Sequence, residues 1–188
     1  MNEVMTCKGY RKHATGIGYP SQKLREIAIH EAGHAVLAWV TGRRIVRLSM
    51  VSDEQDLNVH PVYGVEAGSL MVGPLPPGID LRKERILAER EAMIALAGEL
   101  AAIRFRGSDT KKELSRSDLE GLTYIAAHSG ESEERLSSCL DRLAALTALY
   151  LEVYWRHVEV LAEALMNSRE LTGQEVTDVL RGVEKRGS

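Results

Sequence analysis

Apolar positions follow different spacings along the chain, and each spacing predicts a different element. From about Gln22 to Thr41 they are nearly continuous, with Ile27, Ala28, Ile29, Ala32, Ala35, Val36, Leu37, Ala38 and Trp39. A run of that length and alanine content predicts a helix that is apolar almost all round and therefore buried. Ser21 after Pro20 is its expected N-cap and Gly42 its stop. Residues 43–52 alternate around β-branched positions and predict a strand, closed by the acidic turn Asp53-Glu54-Gln55-Asp56. A second strand is expected within Val62–Val72, weakened by Gly64 and Gly68, before the rigid Gly73-Pro74-Leu75-Pro76-Pro77-Gly78 loop. The helical spacing returns from Asp80 to about Arg104, with Leu87, Ile94, Ala97 and Ala101 on one stripe and Gly107 as terminator.

Beyond the polar loop 108–112, Ser117 and Glu120 form a capping box, so a short helix is expected from Asp118 to His128 or Ser129. Gly130 breaks the chain. One long helical region is predicted from about Ser132 to Asn167, laddered by Leu136, Leu140, Leu143, Leu146, Leu149 and Val153, with His157 half-buried at its surface. Thr172 and Glu175 make another capping box for a last helix to about Val183. Residues 1–20 have no periodicity and read as a flexible arm in which His13 is exposed. The expected fold is α+β and mainly α-helical, one unit over 21–188. A mixed half over 21–130 carries a small sheet, and an all-helical half follows over 131–188.

Composition narrows the functional classes. Apolar residues are 44% of the 188, enough for a core without staples, and aromatics only 5%, which favours helices over a β-sandwich. A net charge of −3 gives no electrostatic reason for nucleic acid or an anionic membrane. No run reaches the ~18–20 apolar residues of a membrane span, and the basic, polar start does not resemble a signal peptide. Cys7 and Cys139 form neither a metal spacing nor a disulfide framework and read as reduced thiols, which implies a cytoplasmic protein.

The chemistry is concentrated in Ala28-Ile29-His30-Glu31-Ala32-Gly33-His34-Ala35-Val36. Histidines four apart on a helix lie one above the other and can bind one metal ion, with Glu31 beside them as a proton carrier. This is the HExxH arrangement of zinc hydrolases, and Zn²⁺ is the implied metal. For a lone histidine in a core, satisfaction by a carbonyl would be the better reading; for two at this spacing with the acid in place, a metal site is. Gly33 in the middle of such a helix suggests that another segment passes close over it. A catalytic zinc needs a third protein ligand. The metzincin completion would need Gly at Leu37 and His at Val40, so it is excluded. An acid on a downstream helix could serve, with Glu89, Glu91 and Glu99 available, as could Asp118 at its helix start.

On these residues the chain resembles the peptidase domain of the FtsH-type ATP-dependent zinc metalloproteases. The zinc motif of that family is close to Ala-x-His-Glu-Ala-Gly-His-Ala-Val. The likeness continues through Ile45–Val51, Leu96-Ala97-Gly98-Glu99-Leu100-Ala101-Ala102 and Ser117-Asp118-Leu119-Glu120, and on to Glu170-Leu171-Thr172-Gly173-Gln174-Glu175-Val176. It spans roughly residues 22–182. The resemblance implies a zincin-like HExxH helix, a C-terminal helical bundle and Asp118 as third ligand beside His30 and His34. It also implies Glu31 as general base, a peptide or unfolded-protein substrate, and assembly into homo-oligomeric rings. Two departures stand out. Ala102 replaces the glutamate of the family's Gly-x-x-Ala-Glu helix, so the surroundings of the metal are built differently here. The sequence also has no Gly-x-x-x-x-Gly-Lys-Ser/Thr loop for nucleotide phosphates, so the expectation is hydrolysis without ATP, or alongside a separate ATPase. The competing reading is a zinc-stabilised interaction module without catalysis, which has no need of Glu31.

Overall fold

A computed structural model describes residues 21–50, 62–63, 69–73, 79, 84–107 and 133–186. Helix α1 spans Ser21–Val40. Its residues Ile27–Ala38 are buried without interruption, as a helix apolar on every side requires. It ends in a Schellman turn. Gly42 takes the left-handed conformation at φ +78, the Gly42 N–H donates to the Trp39 carbonyl at 3.1 Å, and the Arg43 N–H donates to the Ala38 carbonyl at 2.8 Å. The chain then turns into strand β1, Ile45–Ser49.

The one strand expected in Val62–Val72 is two, β2 (Val62–Tyr63) and β3 (Ser69–Val72). They pair antiparallel with Val62 opposite Met71 and Tyr63 opposite Leu70, so the chain reverses between them. Gly64 and Gly68, read from sequence as weak points of a single strand, lie outside the described residues. Helix α2 (Arg85–Arg106) follows and ends where expected, with Gly107 at φ +65 donating its N–H to the Ile103 and Arg104 carbonyls. It begins at Arg85 with Glu84 in the N-cap position, about a turn later than the start expected at Asp80; the arm 1–20 and the Asp118 helix lie outside the described residues.

The long helical region breaks. Helix α3 covers Glu133–Val153 and helix α4 covers Trp155–Ser168, with Tyr154 between them at φ −100, ψ 18. The two pieces cover different partners, α3 lying mainly on α2 and α4 mainly on α1. Strand β4 (Glu170–Thr172) then precedes the last helix, α5 (Gly173–Arg186). The second half is therefore not all-helical. β4 joins β1 antiparallel, giving a four-stranded sheet in the order β2-β3-β1-β4. Leu48 sits opposite Leu70 on one side and Leu171 on the other. That row of three buried leucines joins the core that also holds α1. Between Ile45 and Arg47, β1 carries one extra residue against β3, a bulge that leaves Val46 partly exposed. The molecule is α+β and mainly helical. No helix among the described residues is long and apolar enough to cross a membrane.

Candidate metal centre

Helix α1 presents His30 and His34 one turn apart, both within the core at 2% and 0% exposure, with Glu31 fully buried beside them. Their Nε2 atoms are 3.0 Å apart, and the rings meet edge to face. Two nitrogens sharing a tetrahedral zinc at ordinary bond lengths stand about 3.3 Å apart, so a small ring rotation brings this pair to ligand geometry. The other nitrogen of His34 is engaged. Its Nδ1 lies 2.7 Å from the Ile94 carbonyl on α2. A carbonyl only accepts, so Nδ1 carries the proton and Nε2 of the neutral ring keeps its lone pair. This is how metal-binding histidines are commonly oriented from behind.

Helix α2 passes directly over the pair. Gly33 on α1 is so close that a Cβ there would lie 2.7 Å from the Ala97 carbonyl oxygen and from the Ala101 Cβ. This is the close segment that the mid-helix glycine suggested. On α2 itself, a Cβ at Gly98 would meet the imidazoles rather than backbone, lying 2.6 Å from His30 Nε2 and nearer still to His34 Nε2. The face of α2 above the histidines is thus bare backbone.

The acids of α2 point to other duties. Glu91 is buried against Arg43, Oε1 to Nε 2.6 Å, tying α2 to the turn after α1. Glu99 meets Arg106 at 2.7 Å, and the same guanidinium reaches Glu26 of α1 at 2.6 Å. Burial opposes the charge on Arg106, but its hydrogen bonds to Glu99 and Glu26 outweigh that and raise its pKa. Glu89 is held by Arg85 and by Arg142 of α3. All three acids that sequence offered as alternative ligands are therefore engaged by arginines. Among the described residues, no group of three or more histidine, cysteine or acidic side chains is placed to hold a metal. Asp118 lies outside the described residues. Ala102 is buried on α2, where the resemblance expected an acid.

The sequence singled out His30, Glu31 and His34, which the structure brings together, but not the Ile94 carbonyl or Gly98, which lie against them. The Ile94 carbonyl could not have been found, because any residue type supplies one. Gly98 had a signal, a glycine within an alanine-rich helix where it costs about 1 kcal/mol of helix propensity. Compared with models of protein families and with curated proteins, the chain matches none.

Proposed function

We propose that this chain is a zinc-dependent metalloendopeptidase of the FtsH peptidase type, acting on peptides or unfolded polypeptides. The observation that carries the reading is the His30–His34 pair: two Nε2 atoms 3.0 Å apart in the core, with Glu31 alongside. The donor set fits zinc, since imidazole nitrogens suit that ion and the two Nε2 atoms converge. His30 and His34 would hold the metal and Asp118 would complete the set. When bound, zinc supplies a Lewis acid that polarises a carbonyl and makes water acidic near neutral pH.

The chain's own groups do the rest. The Ile94 carbonyl holds the His34 ring in the tautomer that keeps Nε2 unprotonated. Glu31 accepts a proton from the attacking water and delivers it to the leaving amine. Its burial excludes bulk water from that transfer. Substrate backbone would pair with β2, the outer strand of the sheet among the described residues, an extended-strand mode common to peptide-binding sheets. The 188 residues contain no phosphate-binding loop, so the hydrolytic step uses no nucleotide bound by them. Oligomeric assembly and a separate ATPase are partners that the resemblance suggests.

The test combines metal analysis with cleavage of a casein-like unfolded protein, with and without chelator. The expected result is about one zinc per chain, cleavage abolished by chelator, and restoration by zinc. Glu31→Gln is expected to keep the metal and lose cleavage by at least about 100-fold, the lower range for a positioned general base. Cleavage at the wild-type rate in that variant would disprove the mechanism. A zinc-bound chain that cleaves nothing would favour the interaction module instead.

A further inference from the structure

We propose that Gly98 is a positioning residue of the metal centre: its missing side chain is what allows His30 and His34 to converge and His34 to reach the Ile94 carbonyl. The inference rests on the zinc reading above and deepens it by moving part of the site from α1 to α2. Two observations support it. A Cβ at position 98 would press on Nε2 of both histidines and on Cε1 of His34, the latter at 2.6 Å. Separately, His34 Nδ1 bonds the carbonyl of Ile94, one turn before Gly98.

Those two facts share a cause in helix geometry. In an α-helix the carbonyl of residue i accepts from the N–H of residue i+4, so the Ile94 oxygen faces the backbone of Gly98. Side chains lean toward the helix N-terminus and cover the turn before their own Cα. Any side chain at 98 would therefore shield the Ile94 carbonyl from an approaching ring. With glycine there, the second lone pair of that carbonyl is open to the His34 Nδ1–H. Position 98 thus controls both ends of the His34 ring: the hydrogen bond that sets its tautomer and the space in front of its metal-binding nitrogen.

Gly33 supplies the contrast that makes this testable. A methyl at Gly33 meets the Ala97 carbonyl oxygen and the Ala101 Cβ, atoms close to or part of the backbone that cannot move without separating α1 from α2. A methyl at Gly98 meets the far ends of two side chains, which can rotate away. The first substitution should damage the fold and the second should damage the metal site.

The experiment measures zinc affinity by competition with a chelating dye, and the thermal midpoint of the metal-free protein, for the wild type, Gly98→Ala and Gly33→Ala. Gly98→Ala is expected to keep a folded metal-free state while zinc affinity falls about 10–100-fold or more, the range for losing outer support of a metal ligand. Long-range ¹H–¹⁵N spectra of its imidazoles are expected to lose the Nδ1–H form of His34. Gly33→Ala is expected to lower the midpoint instead. If Gly98→Ala does not fold, the triple variant Gly98→Ala/His30→Ala/His34→Ala, which removes the rings the methyl would strike, must fold; an unfolded triple variant overturns the proposal. A folded Gly98→Ala with wild-type zinc affinity also overturns it, while leaving the zinc reading intact. A wild-type chain that takes up no zinc overturns both.

Discussion

At the scale of single residues, the buried polar groups fall into two kinds. His34, Glu91, Glu99 and Arg106 are each met by a partner at 2.6–2.7 Å, which is the condition for keeping such groups in a core. His157 differs. It stacks on Trp39 of α1 and meets Tyr154 edge to face, and neither ring nitrogen has a hydrogen-bond partner among the described residues. Burial pushes its pKa below the ordinary 6.5, with Glu184 acting weakly in the opposite direction. The unfolded chain therefore binds the proton first as pH falls. Stability tied to His157 is whole above 6.5 and declines as pH drops through that value. The thermal midpoint of the wild type should fall between pH 7.5 and 5.5, and His157→Phe should flatten that part of the profile. A variant with the same slope as the wild type would show that other groups carry it.

At the scale of elements, the contact between α1 and α2 is made of small residues: Gly33 against Ala97 and Ala101, and Gly98 against the histidines. Small side chains allow the two backbones to approach, and that approach brings the Ile94 carbonyl within reach of His34. The break at Tyr154 then divides the covering work, α3 lying mainly on α2 and α4 mainly on α1. The start of α5 shows a capping box in full. The Thr172 hydroxyl accepts from the Glu175 N–H at 3.3 Å, and the Glu175 carboxylate accepts from the Thr172 N–H at 2.8 Å. Thr172→Ala should cost about 1 kcal/mol in denaturant unfolding at neutral pH. The bond from the Thr172 backbone N–H, with that from its hydroxyl, holds the Glu175 pKa below the ordinary 4.5. The carboxylate's share of the cap is therefore present above 4.5 and lost as pH falls through its lowered value. That window lies below the one for His157, so the two effects separate in a pH series.

At the scale of the whole molecule, the sheet closes the chain on itself. β4, near the C-terminal end of the described residues, completes the edge of β1, which directly follows the histidine-bearing helix α1. Leu171 is 5% exposed and faces Leu48 across that pairing. Leu171→Ala should destabilise the protein by about 2–5 kcal/mol, the range for emptying a leucine site in a core. The loss should appear as one lowered transition monitored by both far-ultraviolet and aromatic signals. Two separated transitions would mean that the tail and the half that holds α1 and α2 unfold independently.

Much of this was legible in the sequence, for reasons tied to particular residues. The unbroken apolar run of α1, the Gly42 and Gly107 stops and the Thr172–Glu175 box are local signals, because each depends on residues within a turn of one another. His30, Glu31 and His34 were readable for the same reason: helical periodicity alone stacks positions four apart. The β2–β3 reversal, the break at Tyr154 and the strand at Glu170–Thr172 were not, because each is decided by what lies opposite in space. Sequence by itself determined a buried helix bearing two histidines and an acid, in a mainly helical α+β chain. Tertiary structure decided which backbone carbonyl orients His34, which glycine backbone packs against both rings, and which arginines engage the acids offered as alternative ligands. Those depend on how closely α1 and α2 approach, and that distance is set by side chains far apart in the chain.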